Sequence, residues 1–302
     1  MPRWHSGHVP PYPRAPKPLM PSTQHAPAKV NLGLHVLRER TDGDHDVETV
    51  LHRIDWADTI TAAPAETLSL TCSDPSLPTD EDNLCLRAAH RLAAAFDVTR
   101  GGDLHLEKRV PYGAGLGSGS SDAAATLRLL SRLWELDPSS EQLQEIGGEI
   151  GADVPFFLMD APAAYATGRG DTLSPLLKDG GSYRLPFPLL VAVPPAAVST
   201  SWAYAQVTPN DTDRPDLQRV VTSNDPGRWR SVLVNDFEAP VAAAEPSVAS
   251  LRNALRDTDA AYVSLSGSGG AVYGVFETVG AAREARKNVQ SPQVRTHLLH
   301  PD

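Results

Sequence analysis

Apolar and polar residues alternate in several short runs of this chain. Val30, Leu32, Leu34 and Val36 alternate with Lys29, Asn31, Gly33 and His35, a period of two that predicts a half-buried strand. Lys29 and Asn31 then share its polar face. Leu68, Leu70 and Cys72 alternate likewise, as do Leu104, Leu106 and Lys108. Elsewhere the period is helical. Cys85, Ala88, Ala89, Leu92 and Phe96 form one helix face behind an Asx-type cap at Asp82-Asn83. Leu127, Leu130 and Trp134 form a second, stopped by Asp137-Pro138. Leu143, Ile146 and Ile150 form a third, with Ser139 and Gln142 in capping-box register and a stop at Gly151. Pro155 is expected to hold Val154 extended. Residues 47–54 fit helix or strand by spacing alone.

Further along, residues 189–193 read as a strand and 198–204 open a helix. Val248, Leu251 and Leu255 mark another helix. Strands at 262–265 and 271–276 flank the turn Ser266-Gly267-Ser268-Gly269-Gly270. Proline and glycine cluster around 175–185, a candidate boundary between two lobes. Residues 1–24 hold seven prolines and almost no apolar pattern, so they are predicted to be disordered. They lack the apolar core of a signal peptide, and Met20 is an alternative start.

The most informative stretch lies between the second strand–helix pair. It runs Pro111-Tyr112-Gly113-Ala114-Gly115-Leu116-Gly117-Ser118-Gly119-Ser120-Ser121-Asp122. A plain turn needs one or two glycines, whereas four alternate here before a helix. Glycines let backbone N–H groups approach a ligand, and a helix start adds unpaired N–H groups and a positive dipole end. Together they suit an anion, most often phosphate. A side chain at Gly115 is expected to obstruct the phosphates while leaving the fold intact. No lysine follows Gly119, so this is not a Walker A loop, and Ser118 stands where the Rossmann spacing needs a third glycine. The protein-kinase signatures His-Arg-Asp and Asp-Phe-Gly are absent.

The 302 residues allow one large domain or two ordinary ones. The 41% hydrophobic and 21% charged fractions are those of a soluble globular protein. A net charge of -10 argues against nucleic-acid binding, although local lysines can still hold a phosphorylated substrate. Cys72 and Cys85 make no disulfide framework, so a reducing cytoplasm is the expected setting. The ten histidines show no metal-ligand spacing. Residues 185–198 come closest to a membrane span but are broken by Pro186, Pro188, Pro194 and Pro195.

The glycine loop resembles motif 2 of the superfamily of galactokinase, homoserine kinase, mevalonate kinase and phosphomevalonate kinase. With Ala123-Ala124 it is more narrowly similar to the 4-diphosphocytidyl-2-C-methyl-D-erythritol kinase family. Pro27-Ala28-Lys29-Val30-Asn31-Leu32 resembles that family's first motif, and Gly151-Ala152-Asp153-Val154-Pro155-Phe156-Phe157 its catalytic-aspartate segment. Residues 266–270 resemble its third motif, and Gly168-Arg169-Gly170 and Asn235-Asp236-Phe237-Glu238 two further segments. Two departures stand out. Asp44 replaces the aromatic of the family's Asp-Gly-Tyr-His, which weakens the expected sandwich around a cytosine ring, and Asp160-Ala161 stands where two glycines are common.

The resemblance spans residues 26–276 and implies an α+β fold of two lobes with the active site in the cleft between them. Residues 25–178 would form the ATP-binding lobe and 179–302 the C-terminal lobe. It implies transfer of the ATP γ-phosphoryl group, with Mg2+, to the 2-hydroxyl of cytidine-diphosphate-linked methylerythritol. Asp153 would be the base and Lys29 its partner. Asn83, Lys108, residues 111–121, Gly267 and Ser268 would bind ATP. Asn31, His45, Thr200 and Tyr204 would bind substrate. No residue has an unambiguous metal role. The plain alternatives are capping for Asn83 and Thr200, packing for Tyr204, a surface charge for Lys108 and a structural hydrogen bond for Asp153. No nucleic acid or membrane partner is implied, and the assembly is a monomer or homodimer. Another kinase of the superfamily and a silent nucleotide-binding protein are the competing readings. Lys29 and Asp153 argue against the second.

Overall fold

The computed structural model describes residues 22–301. The expected disorder of residues 1–21, and the alternative start at Met20, lie outside the described residues.

Two long strands, β1 (Ser22–Glu39) and β2 (His45–Ala63), run antiparallel, with register irregularities at Pro27/Lys29, Leu32/Leu34 and Val36/Arg38. The free edge of β2 takes β4 (Gly102–Glu107) near one end and β5 (Ala163–Thr167) near the other. β3 (Leu68–Cys72) joins β4 in parallel, and β6 (Thr172–Pro175) joins β5. Residues 47–54, ambiguous by spacing, are therefore strand. Four helices belong to this half: α1 (Leu84–Ala95), α2 (Ser118–Leu133), α3 (Ser140–Ile150) and α4 (Val154–Leu158). Asn83 caps α1 by accepting from the Cys85 N–H, and Ser139 and Gln142 form the expected capping box on α3. Leu92, Leu104, Leu130, Trp134 and Phe156 fill the core between the helices and the sheet.

A small hairpin, β7 (Leu177–Lys178) and β8 (Gly181–Ser182), leads to the second half. There β9 (Leu189–Val193), β10 (Tyr262–Leu265), β11 (Val272–Val275) and β12 (Arg295–Leu299) form an antiparallel sheet ordered β10-β11-β9-β12. Its helices are α5 (Thr200–Gln206), α6 (Leu217–Thr222), α7 (Pro226–Val232), α8 (Glu238–Ala244), α9 (Pro246–Arg256) and α10 (Val279–Val289). Val30 and Leu32 of β1 share one buried cluster with Leu189, Tyr273 and Trp229, so the core runs across the division expected at residue 178.

Three local expectations change. Ser22–Gln24, expected within the disordered extension, pair with Ala62, Thr61 and Ile60, because ladder hydrogen bonds need no apolar side chains. The polar face of β1 is buried rather than solvated, with Lys29 and Asn31 only 4% and 2% exposed. The second half covers it: Tyr273 donates its hydroxyl to the Asn31 carbonyl, and the Leu34 N–H donates to the Val234 carbonyl. Val154 is the first residue of α4 and is not extended. Pro155 sits in the first turn, where a missing N–H costs nothing, so here it starts a helix.

Candidate active site

Gly113, Gly115 and Gly117 all have positive φ, at 69°, 83° and 65°. At Gly115 the need is also spatial, since a Cβ there would lie 2.0 Å from the Ser266 carbonyl oxygen. A Cβ on Gly269 would meet the Ala114 backbone at 2.2 Å. The two glycine turns thus interlock. The Ala271 N–H donates to the Ala114 carbonyl at 3.0 Å, and the Ser266 hydroxyl to the Gly115 carbonyl at 2.9 Å. Gly117 precedes α2, whose first turn carries no side-chain cap, so its N–H groups stay available for an anion.

Lys29 reaches under this loop. Its ammonium donates to Asn31 Oδ1 at 2.7 Å and to the Gly115 carbonyl at 3.0 Å, and lies 3.6 Å from Asp153 Oδ2. The Asn31 amide is fixed in turn by donating to Thr49 Oγ1 at 2.9 Å, and Thr49 donates to the Gly33 carbonyl. Asp153 takes the N-cap position of α4, yet its carboxylate makes no cap hydrogen bond. Its side chain is 33% exposed and faces the Lys29 ammonium. A positioned carboxylate, a lysine and free backbone donors suit proton removal from a hydroxyl beside a phosphate.

A cleft of about 1060 Å³ opens over this group. It is lined by Lys29, Asn31, His45, residues 112–120, Asp153, Thr200, Tyr204, Gly267 and Ser268, all singled out by sequence. The His45 and Tyr204 rings lie 4.8 Å apart at a 33° tilt, and Tyr204 packs edge-on against Phe237. Burial, then the charges of Asp153 and Asp44, push the Tyr204 phenol up to about 12, so it stays neutral. The Ser268 hydroxyl donates to Thr200 Oγ1 at 3.3 Å. Asp44, on the cleft wall, pairs with Arg169 at 3.2 Å.

Asn83, Lys108, Pro111 and Ser121 are not among the cleft-lining residues. Asn83 spends its amide on the α1 cap and on the Pro78 carbonyl. Pro111 precedes the loop. Ser121, 1% exposed, faces a separate cavity. Lys108 is buried between two carboxylates, donating to Asp58 Oδ2 at 2.6 Å and Asp122 Oδ2 at 2.9 Å. The Arg109 and Val110 N–H groups donate to the other Asp58 oxygen. Burial pushes Asp122 up to about 7 against the pull of Lys108. Lys108 therefore ties β2 and β4 to the start of α2 from behind. Lys108→Met strands two buried carboxylates and is expected to cost about 3–5 kcal/mol in denaturant unfolding. Unchanged stability with a raised KM for ATP would return Lys108 to nucleotide binding. Thr49 and Ser266 escaped the sequence reading as positioning residues, because their partners lie far off along the chain.

Two family models match this chain. The GHMP kinases N terminal domain covers residues 83–167 and the GHMP kinases C terminal domain residues 214–294. These are the kinases named for galactokinase, homoserine kinase, mevalonate kinase and phosphomevalonate kinase, and the two-sheet fold around a phosphate loop is of that class. A solved homoserine kinase from Cytophaga hutchinsonii shares the fold, with a TM-score of 0.72 at 18% identity over 97% of this chain and 98% of that one. A crystal structure of 4-(cytidine 5'-diphospho)-2C-methyl-D-erythritol kinase aligns with a TM-score of 0.75 at 32% identity, covering 92% of this chain and 98% of that one. A 4-diphosphocytidyl-2-C-methyl-D-erythritol kinase of Salinibacter ruber is 72% identical over 280 residues, which is 93% of this chain and 99% of the relative. The chain belongs to the 4-diphosphocytidyl-2-C-methyl-D-erythritol kinase family.

Proposed function

We propose that this chain transfers the γ-phosphoryl group of ATP to the 2-hydroxyl of 4-diphosphocytidyl-2-C-methyl-D-erythritol, a step in non-mevalonate isoprenoid precursor synthesis. The observation that carries the site assignment is the Lys29 ammonium 3.6 Å from the Asp153 carboxylate, directly beneath the glycine loop. Asp153 accepts the hydroxyl proton. Lys29 holds the hydroxyl and offsets charge as the O–P bond forms. Backbone N–H groups of residues 113–119 cradle the ATP phosphates, and the Gly267–Ser268 turn closes over them. His45, Asn31, Thr200 and Tyr204 orient the two ends of the substrate.

Among the described residues no group of three or more His, Cys, Asp or Glu side chains could hold a metal. Among the oxygen donors that line the cleft, the Asp153 carboxylate and the Ser118 and Ser120 hydroxyls suit magnesium held mainly by the ATP phosphates. Magnesium would supply charge neutralisation at the β- and γ-phosphates. No helix of the described residues is long and apolar enough to cross a membrane. Monomer and homodimer both suit this scheme, in a cytoplasmic setting.

ADP release measured with 4-diphosphocytidyl-2-C-methyl-D-erythritol, homoserine and mevalonate tests the reading. Turnover with the first alone is expected. Turnover with another, or with none, would contradict it.

Asp44 bears on the cytidine end. A carboxylate offers no stacking face, and a base–aromatic stack contributes roughly 1–3 kcal/mol in single-strand nucleic-acid binders. Asp44→Tyr is expected to lower KM for the cytidine substrate several-fold with kcat little changed. An unchanged KM would mean that Tyr204, already against His45, supplies the stack alone.

A further inference from the structure

A second cavity, of about 580 Å³, lies outside the catalytic cleft, where the beginning of β1 and the middle of β2 face α2 and α4. Arg53, Arg109 and Arg128 line it, with Asp55 the one carboxylate on its wall, and Asp55 is paired with His297. Among the described residues none of the three arginines makes a salt bridge. Arg53 donates to the Phe156 and Met159 carbonyls, each at 2.7 Å. Arg128 donates to the Leu158 carbonyl at 2.7 Å and weakly to the same Met159 oxygen. The Arg109 side chain is exposed and makes no hydrogen bond among the described residues.

Two guanidiniums thus converge on the Met159 carbonyl, and Asp160 is the carboxylate whose charge acts on both, without a salt bridge to either among the described residues. Burial, and then the like charge of Arg128, push Arg53 down to about 10, against the smaller pull of Asp160. Behind the wall, Arg53 Nε and the Ser121 hydroxyl are buried without a hydrogen-bond partner among the described residues. Ser121 belongs to α2 and was expected at the nucleotide; it lines this second cavity instead.

We propose that this cavity is a second anion site, for a phosphate or diphosphate group. Such a group is acceptor-only, adds negative charge beside three guanidiniums that make no salt bridge among the described residues, and forms bidentate bonds with arginine. Ser121, Ala124, Ala125 and Arg128 share one face of α2, so the small side chains leave the space and Arg128 stands at one end of it. The Phe157 ring divides this cavity from the cleft. It lines the one, and lies 3.1 Å from where a Gly117 Cβ would stand in the other.

The test is calorimetric titration with inorganic pyrophosphate. The full chain is first saturated with a non-hydrolysable ATP analogue and cytidine diphosphate, so that the cleft is filled. One further site is expected, weakened at least tenfold by Arg109→Ser and abolished in Arg109→Ser/Arg128→Gln. Arg109→Ser removes an exposed side chain that makes no hydrogen bond or salt bridge among the described residues, so its fold and kcat are expected to be unchanged and it decides the matter even if Arg128→Gln fails to fold. No further site in the wild type, or a site weakened less than tenfold by Arg109→Ser, overturns the proposal.

Discussion

Asp153→Asn is expected to lower kcat by about 10²–10⁴-fold, the range of a positioned general base. Asparagine keeps the shape but cannot take the hydroxyl proton. The fold is expected to survive, because the Asp153 carboxylate makes no cap hydrogen bond to α4. Lys29 keeps its bonds to Asn31 Oδ1 and the Gly115 carbonyl, so the change does not strand a buried cation. Nucleotide affinity is expected to hold, since the loop's N–H groups are a separate element. Lys29→Ala should also lower kcat. The double variant should lose less than the product of the two single losses, because both side chains act on one hydroxyl. Steady-state kinetics on the three variants, with melting curves as the control, check this. Wild-type turnover in Asp153→Asn would leave positioning by Lys29 as the main contribution.

Gly115→Val is expected to cost the fold, not nucleotide binding alone. From the sequence a valine there obstructs only the phosphates. The new Cβ instead points at the second glycine turn, 2.0 Å from a backbone oxygen that cannot swing aside. Gly115 also has φ of 83°, a conformation that strains any L side chain. Overpacking and backbone strain cost about 1–3 kcal/mol each, a large share of a domain's stability. Gly113 makes the contrast. A Cβ there meets nothing, so Gly113→Ala bears only its positive φ, about 1–2 kcal/mol. Denaturant unfolding of the two variants should show Gly115→Val losing clearly more. Equal losses would mean that the interlock of the turns contributes nothing.

What was legible in the sequence follows the reach of each interaction. The loop and its helix are contiguous, so their pattern was visible directly. Period two placed Lys29 and Asn31 together, and the ammonium does bond Asn31 Oδ1. Alternation could not show that this polar face is buried, because the residues covering it come from the glycine loop, such as Gly115, and from the second half of the chain, such as Tyr273. The interlock joins Gly115 to Ser266 across 151 residues, and no local pattern encodes it. Lys108 reads as a surface charge by position, and the family resemblance alone placed it at the nucleotide. Its partner Asp58 lies 50 residues upstream, beyond the reach of any local pattern. Pro155 carried two meanings, the end of one element or the start of another, and only packing of α4 beneath the loop decides between them.

The central claim is that Asp153, beside Lys29 and under the glycine loop, directs phosphoryl transfer to a substrate hydroxyl. Phosphorus-31 NMR of a reaction holding the full chain, ATP, magnesium and 4-diphosphocytidyl-2-C-methyl-D-erythritol tests it most directly. One new phosphomonoester signal should rise as the ATP γ-phosphate signal falls, mole for mole, and do so at least about 100-fold more slowly in Asp153→Asn. Release of inorganic phosphate with no phosphomonoester, or an equal rate in Asp153→Asn, would contradict it.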